Sequence, residues 1–396
     1  MLSKKVVNNL TNSSGIRAMF EEGERLRKIH GAQNVFDFTL GNPDMEPPSL
    51  VKDTLKKYIL NDEAGIHKYM NNAGFADVRE KVAQSLTKET DVELKADNIV
   101  MTCGAAGGLN IIFKSILNPD EEVIIFAPYF VEYSFYIDNH GGKTVIVKPD
   151  MNTFEPDLND LKSKISKNTK AIIINSPNNP TGVIYKEETL IKISEILKEK
   201  QKEFGTEIFV ISDEPYNKLV YDGVKLPSIL KIFDNAIQGC SFSKSLSLPG
   251  ERIGFVAASP KIKEINMLMD ALIFTNRTLG YVNAPSLFQK VIAETMDVTI
   301  NVEEYQKRRD ILYNHLIGLG FTCVKPEGAF YLFPKALIED DVEFVKMALK
   351  YNLLIVPGKG FGCPGYFRIA YCSSLDTINA ALPAFEALAK DCRELG

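Results

Sequence analysis

Lys244 and Arg252 stand eight residues apart in the stretch SFSKSLSLPGERIGF, which apart from Glu251 is otherwise built of hydroxyls, glycine and apolar residues. A lysine amine can form an imine with an aldehyde, and an arginine fork, serine hydroxyls and a glycine-rich helix start together hold a phosphate. Two cations crowded into one compact segment are neutralised by a ligand dianion, and a phosphorylated aldehyde meets both requirements. Three further segments leave apolar runs with polar or glycine-rich sequences: TCGAAGG from Thr102, NSPNNPTG from Asn175 and SDEPYNKL from Ser212.

Such residues need a scaffold that brings distant stretches to one place. Short β-branched runs begin at Asn98, Glu122, Lys143, Lys170, Glu207 and Ile253, and amphipathic stretches such as GLNIIFKSIL from Gly108 and KEETLIKISEILKEKQKEF from Lys186 lie between them. This alternation predicts an α/β fold, a mostly parallel sheet covered by helices on both faces. Ligands of such sheets gather where the strands end, which is where the four polar segments fall. After Tyr281 long helical patterns take over, with short strand candidates at FTCVK, AFYLFP, LLIVP and YFRIAYC. The expected division is a large α/β domain over 48–282, and a small α+β domain made of 1–47 together with 283–396.

Composition narrows the partners. A formal charge of -5 and the lack of a long Lys/Arg run argue against nucleic acid and membrane surfaces. The N-terminus has no signal-like apolar core and no later run reaches membrane-spanning length, so the expected location is the cytoplasm. Six cysteines without a CxxC and four histidines without an HExxH signal neither a disulfide framework nor a metal site. GFGCPG from Gly360 satisfies G-x-G-x-x-G, but Pro364 and the strand-like YFRIAY follow it, so a dinucleotide site is not expected there.

S-x-S-K, PNNPTG, D-E-x-Y and a late F-R-I occur in one order along the chain. In this combination the sequence resembles the fold-type-I aminotransferases of class I/II, the aspartate-aminotransferase-like enzymes that use pyridoxal 5'-phosphate. The resemblance runs from about Leu40 to Tyr371 and implies a seven-stranded sheet. It makes Lys244 the Schiff-base lysine, which also carries the proton leaving substrate Cα, and it assigns the phosphate to Arg252, Ser241, Ser243 and the helix start at Gly104, Ala105 and Ala106. Asp213 becomes the acid that keeps the pyridine nitrogen protonated. Tyr216 and Asn179 become partners of the phenolic oxygen, and Tyr129 the aromatic stacked on the ring. For the substrate, Arg368 is implied as the clamp of the α-carboxylate, with Asn179 and the backbone at Gly41 beside it. Tyr69 matches a tyrosine that relatives extend into the neighbouring subunit, which implies a homodimer with shared active sites.

The implied reaction is a two-step transamination between an L-amino acid, aspartate or a broad set, and a 2-oxo acid such as 2-oxoglutarate. The same apparatus supports β-elimination, as in a C–S lyase, because a Cα carbanion is common to both. A cofactor-sensing regulator stands far behind, since no N-terminal extension long enough for a DNA-binding module is seen. Ala106 falls where some bacterial aspartate-specific relatives carry a lysine. Arg277 in FTNRTLG lies where dicarboxylate-specific relatives sometimes reach across the dimer, and a surface arginine is an equal reading.

Overall fold

The apolar runs fold as strands because their branched side chains are buried on both faces of a sheet. The structure, a computed structural model, describes residues 2–12, 14–61 and 64–395. Its larger unit comprises Met45–Pro177 and Ile184–Val302. Seven strands form one sheet there: β1 (Ile99–Thr102), β2 (Glu122–Phe126), β3 (Lys143–Val147), β4 (Thr169–Asn175), β5 (Phe209–Asp213), β6 (Ala236–Ser241) and β7 (Gly254–Ala258). Their order in space is β1-β7-β6-β5-β4-β2-β3. Only β7 runs against its neighbours, so the sheet is the mostly parallel, seven-stranded one that the sequence implied. β6, with the sequence AIQGCS, lies outside the runs legible in the sequence because Gln238 and Gly239 interrupt its pattern, although all its residues are buried.

The core under this sheet is continuous. Leu109, Ile112 and Phe113 of the helix Gly104–Ile116 and Met269 and Leu272 of the helix Ile265–Thr278 bury against Val100, Val123, Ile125, Ile211, Ile237 and Val256. Burying each such side chain stabilises by about 1.5–3 kcal/mol, which fixes the strand ends that the helices follow. The helix Glu187–Phe204 buries Leu190, Ile193 and Leu197 at the three- and four-residue spacing of one helical face, and stops at Gly205 with φ 68°.

Strand direction then determines where polar residues meet. β1, β4, β5 and β6 run the same way, so Thr102, Asn175, Asp213 and Ser241 finish at one edge of the sheet. Asn175 lies opposite Asp213, Asp213 opposite Gly239, and Gly254 at the start of β7 opposite both Thr102 and Ser241.

The smaller unit comprises Met1–Asp44, Asn178–Val183 and Glu303–Gly396. The strand Phe36–Asp37 pairs in parallel with Leu353–Leu354, while Phe367–Ala370 lies between Val356–Pro357 and Tyr331–Leu332 in an antiparallel sheet. FTCVK forms no strand; one of its carbonyls, that of Thr322, accepts from the Lys335 N–H at 2.8 Å. The N-terminal segment, which shows little periodicity, folds as the helices Lys4–Asn12 and Ser14–His30. Past the change of texture at Tyr281 the larger unit runs on to Val302, and its helix Ser286–Thr295 is tied there by Gln289, whose Oε1 accepts from the Phe75 N–H at 3.0 Å. The Gly360 segment is a 3-10 turn that leads into the strand Phe367–Ala370, with no helix after its glycines. No helix among the described residues is long and apolar enough to cross a membrane.

Candidate active site

Asp213 is the last residue of β5 and is 5% exposed. Its Oδ2 accepts a hydrogen bond from the Tyr133 hydroxyl at 2.6 Å, and its backbone carbonyl accepts from Asn175 Nδ2 at 2.9 Å. Oδ1 is also buried and receives no hydrogen bond. Burial pushes this carboxyl up to about 6, with the Tyr133 bond pulling the other way. A buried carboxylate oxygen without a donor is costly, and it is relieved by a proton or by a cationic N–H.

Tyr133 is a residue that sequence reasoning missed. It lies in the helix Glu132–Asn139, is 2% exposed, and its phenol is pushed well above the ordinary range first by burial and then by Asp213. Tyr216 is buried and close enough to raise the same phenol further. The ring of Phe130 meets that of Tyr133 edge-on at 5.5 Å, whereas its neighbour Tyr129 is half-buried against the central core.

At the end of β6 the chain makes a single helical turn, Phe242–Ser245, which carries Lys244 between the buried Ser243 and Ser245. Ser241 caps this turn: its Oγ accepts from the Ser243 N–H at 3.1 Å and lies 2.6 Å from Ser243 Oγ. Arg252, seven residues after Ser245, is exposed, in the left-handed conformation with φ 50°, and its Nη1 donates to the Pro249 carbonyl at 3.0 Å. Its other nitrogen, Nη2, lies 2.8 Å from where a Cβ on Gly104 would stand, and Gly104 itself has φ +70°. The guanidinium therefore rests on the start of the helix Gly104–Ile116, over the first turn with Ala105 and Ala106, which glycine alone permits there. Two serine hydroxyls, an arginine and a helix N-terminus are thus carried on adjacent ends of β6, β7 and β1.

Arg368 belongs to the smaller unit. Its Nη1 donates to Asn179 Oδ1 at 2.9 Å and its Nη2 to the Thr39 carbonyl at 2.5 Å. The guanidinium lies 4.9 Å from the ring centre of Tyr331 and 4.8 Å from that of Phe361, two aromatic supports that the sequence did not single out. The guanidinium plane is thereby fixed and buried, with Arg368 6% exposed. Gly41 is required in this unit for a packing reason: a Cβ would stand 2.0 Å from the Tyr331 hydroxyl.

Two further residues weighed in the sequence lie on the surface. Tyr69 is 92% exposed. Arg277 is exposed near the end of its helix, with its guanidinium 5.4 Å from the ring centre of Phe274. Among the described residues no group of acids, cysteines and histidines is placed to hold a metal ion.

The sequence model of the family described as aminotransferase class I and II matches residues 33–385. The chain belongs to the class I and II aminotransferases. An aspartate aminotransferase of Bacillus subtilis (strain 168) is 34% identical over 393 residues, covering 96% of this chain and 96% of its own. The crystal structure of an amino transferase from Eubacterium rectale superposes with a TM-score of 0.95 at 41% identity, over 99% of each chain. The aspartate aminotransferase from Thermus thermophilus with maleate gives 0.85 at 26% identity, over 94% of this chain and 96% of its own.

Aminotransferases of this family use pyridoxal phosphate, and the larger unit fits that group. The unmet Asp213 Oδ1 suits a protonated ring nitrogen, and the Arg252 guanidinium set close against Gly104 at a helix start, with Ser241 and Ser243 on the adjacent strand end, suits a phosphate dianion.

A pH dependence follows for the cofactor-free protein. Folded Asp213 keeps its proton to about pH 6 against an ordinary value of 3.8, so between these values the folded state binds more protons than the unfolded one. Stability therefore falls as pH rises through that window, by about 3 kcal/mol, and Asp213 adds no further change above it. Denaturant midpoints of the apoprotein measured across that window show this fall, and Asp213→Asn lessens it.

Proposed function

We propose that this aminotransferase moves an amino group from an L-amino acid, aspartate or a broader set, to a 2-oxo acid such as 2-oxoglutarate, with Lys244 as its proton carrier. The observation that carries the site assignment is the buried, unmet Asp213 Oδ1 at the strand edge that also ends in the Ser241–Lys244 turn. When bound, pyridoxal phosphate supplies an aldehyde that takes up the amino group and a cationic ring that draws in the electron pair left at Cα. Arg252, Ser241, Ser243 and the N–H groups of Gly104, Ala105 and Ala106 hold the phosphate.

Asp213 keeps the proton on the ring nitrogen, since a low-dielectric site that penalises a lone carboxylate favours an ion pair. Tyr133 orients Asp213 through the bond to Oδ2. Tyr216 donates its hydroxyl, and Asn179 the NH2 end of its amide, to the phenolic oxygen. Phe130, packed on Tyr133, joins Tyr129 as a candidate for the face of the ring. Lys244, as a neutral amine, would lift the proton from Cα and deliver it to the cofactor's former aldehyde carbon, on the far side of the amino nitrogen. Arg368 clamps the substrate α-carboxylate through two parallel N–H···O bonds, its plane held by Tyr331 and Phe361. Gly41 lets the backbone come close on that side.

The enzyme is proposed to act as a homodimer in which Tyr69 reaches the phosphate site of its partner. The exposure of that ring in the single chain supports this. Aspartate as donor is supported by the named function of the Bacillus relative and by the maleate, a dicarboxylate, in the Thermus structure. Arg277 is the candidate cation for the distal carboxylate, since Ala106 offers none.

Lys244→Ala is expected to lower turnover by a factor of about 10⁴ or more, and borohydride should no longer fix the cofactor to the chain, as read by mass spectrometry. Arg368→Lys keeps the charge and loses the fork; kcat/KM should fall roughly a hundredfold for every amino donor. Arg277→Ala should weaken aspartate and spare alanine, and equal losses with the two donors would remove Arg277 from the distal site.

A further inference from the structure

Behind the strand end that carries Asp213 lies a second buried acid that the reaction above leaves unused. Side chains alternate along a strand, so Ser212 turns to the side away from Asp213, and Glu214, the residue after β5, meets it there. Glu214 is 8% exposed; one of its carboxyl oxygens accepts from Ser212 Oγ at 2.5 Å and the other from Gln238 Nε2 at 2.7 Å. Ser212 on β5 and Gln238 on β6 are register partners. One carboxyl group thus fastens together the two strands that end at Asp213 and at Ser241.

The same cluster contains an unmet acceptor. Gln238 is 3% exposed and its Oε1 is buried without a hydrogen-bond partner. Both Glu214 and Gln238 line a cavity of about 240 Å³, together with Glu89, Asn217, Lys218 and Ser228. A polar cavity of this size holds water, and its wall includes the exposed Glu89. An ionised Glu214 uses the Gln238 N–H and leaves Oε1 idle. A protonated Glu214 has an O–H to give, and half a turn of the amide brings Oε1 to that O–H. The amide therefore offers the acid a partner in either state, Nε2 when it is ionised and Oε1 when it is protonated.

We propose that Glu214 is a proton-linked positioning residue for Asp213: with Ser212 and Gln238 it clamps the strand end that presents Asp213, and it exchanges its proton with water in the cavity behind that strand. On ionisation the acid O–H bond breaks, its electron pair stays on the carboxylate, and the proton passes to a cavity water. The charged and titratable groups around it are Asp213 on β5, Cys240 on β6, Glu89 from the helix Ala76–Thr90, and Lys218 from the segment after Tyr216. Lys218 Nζ lies 3.7 Å from Glu89 and donates to the Met296 carbonyl. Burial, then Asp213 and Glu89, push Glu214 up to about 7, against the pull of the Ser212 and Gln238 bonds. Burial, Glu214 and Glu89 also raise the Cys240 thiol, which keeps it protonated at neutral pH. Because folded Glu214 holds its proton more tightly than an unfolded one, its contribution to stability falls as pH rises from 4.5 to about 7.

The positioning role rests on Asp213 being the ring-nitrogen acid, and the test separates the two. Difference infrared spectra of the holoenzyme across neutral pH should show a protonated carboxyl band that titrates, is absent from Glu214→Gln, and moves to higher pH in Gln238→Met, which removes a donor to the carboxylate. Cofactor binding to the apoprotein should weaken about tenfold in Glu214→Ala and recover in Glu214→Gln, which keeps the clamp. A titrating band that persists in Glu214→Gln, or one unmoved by Gln238→Met, overturns the proton link. Unchanged cofactor affinity in Glu214→Ala overturns the clamp. Failure of the Asp213 assignment would appear elsewhere, as unchanged cofactor affinity in Asp213→Asn with the infrared band intact.

Discussion

A carboxyl group held out of water with one oxygen unmet is the constraint on which the site depends. Moving a carboxyl from its ordinary 3.8 to about 6 costs about 3 kcal/mol for the ionised form at neutral pH. The Tyr133 hydroxyl accounts for one oxygen of this acid and leaves the other without a partner inside the chain. On the proposed assignment a cationic ring nitrogen meeting Oδ1 recovers this cost, which would make Asp213 half of an ion pair with the cofactor. Tyr133 fixes which oxygen is offered, since its hydroxyl occupies Oδ2.

The rest of the larger unit serves this pairing by direction and rigidity. Parallel strands place Asn175, Asp213 and Ser241 at one edge, and the reversal of β7 brings Gly254 to that edge two residues after Arg252. The Ser212–Glu214–Gln238 cluster then stiffens the same two strands from behind. In the smaller unit, Arg368 is prepared differently. Its charge is held by a carbonyl and an amide oxygen and its plane by two rings, so the fork is already oriented for the carboxylate clamp proposed for it.

Much of this was legible in the residues. Six strands follow from β-branched runs, and Lys244, Asp213, Arg252 and Arg368 stand in motifs whose chemistry is specific in combination. β6 was hidden because Gln238 and Gly239 resemble a turn in sequence, and their burial depends on neighbours far along the chain. Tyr133, Phe130, Tyr331 and Phe361 were hidden for a related reason: an aromatic residue in an apolar stretch reads as core until a charged partner from another element is seen to meet it. Gly41 was read as an approach to substrate, and its hydroxyl neighbour Tyr331 is a contact between residues 290 positions apart. Local patterns encode elements, while pairings across such distances are set only by the tertiary fold.

The central claim is that Asp213 keeps the cofactor ring protonated, and nitrogen-15 NMR of the holoenzyme carrying ring-labelled pyridoxal phosphate measures this directly. The account predicts a protonated ring nitrogen at neutral pH in the native enzyme and an unprotonated one in Asp213→Asn. An unprotonated nitrogen in the native enzyme, or the same protonated signal in both, would contradict it.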